Sequence, residues 1–446
     1  MLDETLFTLI EAGNYPEARN IIVNMNAVDI AKFLEEIDRP KLLVTFRILP
    51  KELAANVFPH LPFELQQYII ESSTDVEIKS ILDDLFFDDA IDFIEEMPAN
   101  VVKKILANTN EETRKLINLF LNYPEDSAGS LMTIEYVDLV KGMTVSQAIA
   151  HIKETGIDKE TIETCYVLDR NRILVGYTTL RKLILSHESD IINDIMVSDV
   201  ISLSTHDDQE EVAQLFKKYD YLVMPVVDSE HRLVGIVTID DVIDVIDQEN
   251  TEDLQKMAAM HPSEKEYLKT DALTLAKHRF PWLLILMISA AFTGGIIRQY
   301  ENALQSVMVL ASFIPMLMDT GGNSGSQSST LVIRGMALGE IQLSDALKVL
   351  WKELQVSFLV GSSLAIVNFI RIYLLEKVDL RISITVCLTL FFTVILAKVV
   401  GGILPLAAKK LKLDPAIMAS PIITTIVDAV ALMLYFTIAT NLLNIH

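Results

Sequence analysis

Hydrophobic residues are spread along this chain in two different ways. From about residue 281 they gather into long runs, at about 281–299, 303–320, 354–375, 382–405 and 416–441. Each is near the roughly 20 residues that a helix needs to cross a bilayer, so five membrane spans are expected. The second run breaks into GGNSGSQSSTLVIRG and is the least regular of the five. Before residue 281 the apolar positions recur at short helical spacing, as in DDAIDFIEEM (88–97), or form brief strand-like stretches.

Two repeats organise that first part. Turn-like positions recur every twelve residues: Asp38 before Arg39-Pro40, then Leu49-Pro50, Leu61-Pro62, Ser73-Thr74 and, two periods on, Met97-Pro98. Proline suits the first turn of a helix and stops the helix before it. A period of twelve is one short helix and a turn, and stacked units of that size predict a small superhelical array up to about residue 125. Further on, LMTIEYVDLVKGMTVSQAIAHIKE (131–154) aligns with IMVSDVISLSTHDDQEEVAQLFKK (195–218). Likewise CYVLDRNRILVGYTTLRKLI (165–184) aligns with MPVVDSEHRLVGIVTIDDVI (224–243). Each copy reads helix, strand, polar turn, strand, helix. A charged helix-prone stretch (241–280) follows and leads to the apolar runs.

Charge follows the same division. Residues 1–270 carry 24 Lys and Arg against 51 Asp and Glu, a net −27. Residues 271–446 carry 13 against 10, a net +3. Such an acidic segment repels phosphate, which excludes nucleic acid as a partner; it suits cations, or simply solubility. Cys165 and Cys387 are too far apart in sequence to define a disulfide framework or a zinc motif. MLDETLFTLIEAGNY lacks the basic-then-apolar layout of a signal peptide, so the first part is expected in the cytosol. Flanks that would then lie inside carry Lys265, Lys269, Lys277, Arg279, Arg334, Lys348, Lys352, Lys409, Lys410 and Lys412; those outside carry Arg298, Arg371, Lys377 and Arg381. The bias predicts a cytosolic N-terminus and an external C-terminus.

The sharpest chemical signal is a carboxylate in an apolar run. Asp428 lies in AIMASPIITTIVDAVALMLYFTIAT (416–440), which holds no other charge. An ionised carboxylate in bilayer costs roughly 2.5–3.5 kcal/mol unless it meets water, a cation or a partner. Helical spacing sets Ser420, Thr424 and Asp428 on one face, a set of oxygens suited to a hard divalent cation such as Mg²⁺. A buried carboxylate bonded to a neighbouring helix is the plainer alternative. Asp319, before the Gly-rich stretch, reads as a helix cap, and Lys398 in the fourth run as a side chain that snorkels to the interface. Glycines at 321 and 322 let backbone carbonyls approach an ion or another helix.

The paired hΦVVDxxxxLVGhhT pattern resembles a tandem pair of CBS domains. That resemblance implies a regulatory module able to bind ATP or another adenine nucleotide, with Thr238 and Asp241 at the ribose; Arg181, read as the matching position of the first copy, speaks against a site there. PMLMDTGGNSGSQSSTLVIRGMALGEI (315–341) together with LDPAIMASPIITTIVDA (413–429) closely resembles the MgtE magnesium channels. The order of elements matches that family over nearly the whole chain. The architecture expected is a multidomain membrane protein: an all-α superhelical N domain (1–128), α+β tandem CBS domains (129–250), a linking helix (251–280) and an α-helical pore domain of five spans (281–446).

The resemblance implies a homodimeric Mg²⁺ channel of the prokaryotic plasma membrane, closed by cytosolic Mg²⁺, and not an enzyme. It implies Asp428 as the selectivity site, with Ser420, Thr424, Gly321, Gly322 and Asn323 lining the pore. It implies that Asp88, Asp92, Asp220, Asp241, Asp244, Asp247, Glu249, Glu252, Asp253 and Asp414 hold Mg²⁺ in a sensor. Two other readings stand beside it: a carrier for Mn²⁺, Co²⁺ or several divalents, since oxygen ligands favour Mg²⁺ and Mn²⁺ over softer metals but do not separate those two, and a membrane-anchored CBS nucleotide sensor that moves no ion. The absence of HExxH leaves no zinc-protease signature.

Overall fold

Every twelfth residue opens a helix. Asp38, Pro50, Pro62, Thr74, Phe86, Pro98 and Asn110 each occupy an N-cap with ψ between 138° and 167°. Thr74 and Glu77 form a reciprocal capping box, and the Asn110 side chain accepts from the Thr113 amide at 2.7 Å. Phe86 fills the period that the sequence pattern skipped, and Asn110 extends the pattern by one period beyond Pro98. The buried faces of the short helices are mainly apolar, including Ile69 and Ile70, Ile78 and Ile81, and Ile91, Phe93 and Ile94, with Thr45, Gln66 and Asp88 as buried polar residues among them. Stacking such faces supplies the core that no single helix of this length could bury alone. One of these helices, α1 (Phe87–Glu96), starts with Asp88 and Asp89 in its first turn.

These features come from a computed structural model that describes residues 2–263, 267–268, 270–418 and 420–444. The side chains of Leu2, Asp3, Glu96, Glu112 and Ser420 lie outside that description. The chain forms two compact units, one up to Val245 and one from Ile246 onward.

The duplication folds as two three-stranded sheets. The first is β1 (Val137–Val140), β2 (Thr164–Leu168) and β3 (Leu174–Thr179); the second is β4 (Leu203–Ser204), β5 (Val223–Val227) and β6 (Leu233–Thr238). In each, the first strand pairs parallel and the last antiparallel to the middle one. The short leading strand in each copy is an element that the alternation did not signal. The copies exchange equivalent hydrogen bonds: Leu174 N–H to His231 O at 3.1 Å, and Leu233 N–H to Arg172 O at 3.2 Å. Arg172 and His231 both sit at positive φ, 65° and 62°, in the matching turns. The sequence repeat is therefore a structural pseudo-two-fold. Cys165 is buried in the first copy and is free, as is Cys387 further on.

A long helix, α2 (Ile239–Met257), leaves β6 directly. The helix-prone 241–280 stretch is thus helical to Met257 and again from Ala272, where α3 (Ala272–Gln299) begins with Asp271 as its cap; residues 264–266 and 269 lie outside the described residues. Among the described residues, four helices are long and apolar enough to cross a membrane: α3; α5 (Ala346–Phe369), within the candidate span 343–375; α6 (Leu380–Lys410); and α7 (Ser420–Leu443).

The expected span at 303–320 is corrected. A short helix at Glu301–Ser306 and a 3₁₀ segment at Met308–Phe313 precede α4 (Ile314–Ala337). The Gly-rich stretch does not break α4 but forms its middle. Packing explains why: Gly321, Gly322, Ser324, Gly325, Ser328 and Ser329 are all buried, so the small residues let α6 and α7 close on α4, and helix propensity is overridden. A Cβ at Gly401 of α6 would overlap the Gly325 carbonyl, so the two backbones touch. Leu310, Leu317, Val386, Leu390, Tyr435 and Phe436 form the apolar core beside this contact.

Candidate functional site

Asp428 is half-buried on α7. Thr424 lies one turn earlier, and its hydroxyl donates to the Pro421 carbonyl at 2.9 Å; Thr425 does the same at 3.0 Å. Both hydroxyls keep their lone pairs for a cation. Gly322 of α4 packs directly on Thr424: a Cβ there would come within 2.7 Å of the Thr424 methyl. Gly325 packs on Ile423, Gly322 on Thr424 and Gly321 on Val427, so α4 and α7 run in opposite directions here, and Asp319 lies just before this contact on α4 as Asp428 lies just after it on α7. Asp319 is not a cap. It sits in the second turn of α4 and accepts from the Asn323 side chain at 3.1 Å. Of the expected pore residues, Gly322 packs on Thr424, Gly321 packs on Val427 and Thr393, and Asn323 is joined to Asp319. Ser420 opens α7, but its side chain lies outside the described residues.

Lys398 is the second correction in this region. It does not snorkel: it is 4% exposed on α6, and its ammonium donates to Ser328 Oγ at 3.5 Å. Spacing along a run shows depth only, and says nothing of the neighbouring helix that closes over a side chain.

In the first unit, carboxylates converge around the start of α1 and α2. Burial, then repulsion from Asp241 and Asp89, pushes the Asp88 carboxyl up to about 9. Burial and the charges of Asp241 and Asp240 push Asp89 up to about 7. Glu160 rises to about 7 through burial and the charges of Asp240 and Asp241, and Asp241 to about 6 through burial above all. Glu160 Oε2 is buried without a hydrogen-bond partner. Of the sensor residues expected here, Asp88 and Asp241 meet and Asp244 repels Asp241. Asp92 lies one turn on in α1 and is exposed, and Asp220 sits instead at the left-handed C-cap of the Gln209–Tyr219 helix. Asp89, Asp240 and Glu160 were missed. Glu160 comes from a loop that no repeat marks, whereas Asp89 and Asp240 each adjoin a residue already singled out. Thr238 donates to Asp241 Oδ2 at 2.7 Å; in the first copy, Thr179 is the equivalent of Thr238 and caps the helix after β3, so the equivalent of Asp241 is Lys182 and not Arg181.

In the second unit, Lys256 of α2 reaches both Glu252 Oε1 and Asp414 Oδ2 at 2.6 Å. Burial alone would lower this ammonium; the hydrogen bonds to Asp414 and Glu252 outweigh it and raise it to about 12. Burial and the Asp414 charge raise the Asp253 carboxyl, against Lys256. Arg334 at the end of α4 donates to Asn250 of α2 at 3.2 Å. Asp247 and Glu249 lie along the same helix. Among the described residues no group of three or more His, Cys, Asp or Glu closes into metal-ligand geometry.

A helical array, a CBS-type pair and a bundle of apolar helices with a half-buried carboxylate define a membrane protein with an acidic first part. The comparisons place it further. Residues 314–438 match the divalent cation transporter family model, residues 25–126 the MgtE intracellular N domain, and residues 192–248 the CBS domain. The magnesium transporter MgtE of Thermus thermophilus is 34% identical over 98% of this chain and 97% of that protein. That of Bacillus subtilis is 32% identical over 98% and 97%. The chain belongs to the MgtE family. Two solved structures resemble its first part: the soluble part of a magnesium transporter, 30% identical, TM-score 0.53, covering 56% of this chain and 98% of that one; and the cytosolic domain of the Mg²⁺ channel MgtE in complex with ATP, 35% identical, TM-score 0.52, covering 55% and 99%.

Proposed function

We propose that the chain is a homodimeric Mg²⁺ channel of the prokaryotic plasma membrane, with a cytosolic N-terminus and an external C-terminus, closed by Mg²⁺ bound to its acidic part. The observation that carries the reading is Asp428, half-buried in an apolar helix, with Thr424 beside it and Asp319 close by. Two like charges held together in a bilayer are costly without a cation between or near them. Mg²⁺ sheds water reluctantly and is commonly held through its waters by one or two carboxylates. The relatives named as magnesium transporters favour Mg²⁺ over Mn²⁺ and Co²⁺.

A second copy completes the pathway. Leu283, Ile285, Met287 and Phe292 of α3 are exposed, as are Ile426 and Met433 of α7. These are surfaces for lipid and for a partner subunit, and a two-fold axis would set two Asp428 carboxylates opposite each other.

In the sensor, burial and mutual repulsion keep Asp88, Asp89, Asp241 and Glu160, beside Asp240, from all being charged at once until Mg²⁺ binds and displaces their protons, with Asp92, Asp220, Asp244, Asp247, Glu249, Glu252, Asp253 and Asp414 contributing further sites. ATP or another adenine nucleotide binds the second CBS copy at Thr238 and Asp241, a reading supported by the ATP complex of the relative and disfavoured in the first copy by Lys182. The test of the pore is current from the reconstituted full chain. Asp428→Ala is expected to abolish Mg²⁺-selective current, and a variant with full current would refute the assignment.

A further inference from the structure

Three helices of the membrane region meet at a polar contact that the cation site does not use. Ser328 of α4 is 1% exposed, and its hydroxyl donates to Glu353 Oε2 of α5 at 2.5 Å. The same oxygen accepts from Lys398 Nζ of α6 at 3.5 Å. A hydroxyl donates only one hydrogen; the Ser324 carbonyl one turn back lies at 3.5 Å from Ser328 Oγ, and the Glu353 carboxylate, much nearer, takes that hydrogen, so the order is Lys398 to Ser328, Ser328 to Glu353. The surrounding backbone is built for this contact. Gly325, one turn before Ser328, touches Gly401, about one turn after Lys398. Gly402 leaves room for the Glu353 stem, which a Cβ there would meet at 2.9 Å.

We propose that Lys398, Ser328 and Glu353 form an ionic relay that positions α4, and through α4 the spacing of Asp319 and Asn323 from Asp428 and Thr424. Ser328 lies on the same rigid helix as Asp319 and Asn323, and Gly322 between them is packed on Thr424. Glycine contacts alone let α4 slide or rotate, because they carry no direction. A hydroxyl held from two sides does not permit this. The three are positioning residues: none touches the ion. The inference rests on the reading of Asp428 as the cation site.

The test is Mg²⁺ uptake into liposomes by the full chain, with Ca²⁺ and Co²⁺ as competitors. Lys398→Met and Glu353→Gln each leave one charge unmatched. Each is expected to lower uptake about tenfold or more and to change the order in which the competitors inhibit. The double variant is expected to recover most of the uptake. Ser328→Ala keeps both charges and nearly the same volume, so it decides the case if a single charge variant fails to fold; it too is expected to alter the competitor order. Singles with unaltered uptake and competitor order overturn the proposal. So does a fall in uptake with an unchanged competitor order and no recovery in the double, since that is a loss of stability only. Thermal unfolding of the same set reports coupling of the pair independently of transport. A wild-type chain that couples there yet moves no divalent cation would refute the cation site itself and, with it, this positioning role.

Discussion

At the scale of single residues, the legible signals were the charges whose surroundings had to compensate them. Asp428 stood out because nothing else in its run is charged. Lys398 gave the same signal and was misread, because its length allowed an escape to the interface that Gly325 and Gly401 close off. Asp88 was legible as part of an acidic helix face, but its burial was not. That burial has a consequence for stability. Asp88, Asp89, Glu160 and Asp241 all hold protons more tightly in the folded chain than their ordinary carboxyl values of 3.8 to 4.5 allow. The folded state then binds more protons than the unfolded one between about pH 4 and about pH 9, so stability falls as pH rises through that window. Without divalent cations, the melting temperature of the full chain is expected to drop from about pH 5 to about pH 8.5. Millimolar Mg²⁺ should lessen the drop, and Asp88→Asn should flatten it. A melting temperature indifferent to pH, or a steeper drop in Asp88→Asn, would contradict the burial of these groups.

At the scale of elements, periodicity was a good guide wherever packing agreed with it. The twelve-residue period located the starts of the short helices, and the duplicated pattern located β2, β3, β5 and β6. It failed where context decides. α4 looked like a broken span because Gly and Ser are poor helix formers, yet their small size is what admits α6 and α7. β1 and β4 are too short to show alternation. In α2 the acidic run hid a basic residue of consequence. Lys256 bridges Glu252 and Asp414 and so ties the helix to the loop before α7 without a metal ion. Removing it would leave Glu252, Asp253 and Asp414 mutually repelling, and closure would then depend on a bound cation there. Lys256→Gln is therefore expected to raise the cytosolic Mg²⁺ needed for half-maximal inhibition of current. An unchanged inhibition curve would show that the bridge has no part in gating.

At the scale of the whole molecule, the division of charge is the feature that composition showed most directly: a net −27 before residue 271 and +3 after it. A surface made acidic only for solubility would tolerate neutralisation of a few side chains without change in function. A sensor would not. At about 4 Å, two carboxylates repel by about 1 kcal/mol in water and about 4 kcal/mol at an effective dielectric near 20. Several such pairs, each relieved by one Mg²⁺, give a graded and cooperative response, because each ion bound lowers the repulsion that the next must overcome. Replacing Asp241, Asp244, Asp247 and Asp253 together by Asn relieves the same repulsion permanently but withdraws the ligands. The two readings then diverge at high cytosolic Mg²⁺. If the carboxylates act as ligands that draw the cytosolic part together, the fourfold variant stays open at about ten millimolar Mg²⁺, where the wild type is shut. If repulsion alone holds the channel open, the variant is shut even at micromolar Mg²⁺. Patch-clamp recording across that range distinguishes the outcomes. Inhibition identical to wild type would remove the acidic part from the gating mechanism altogether.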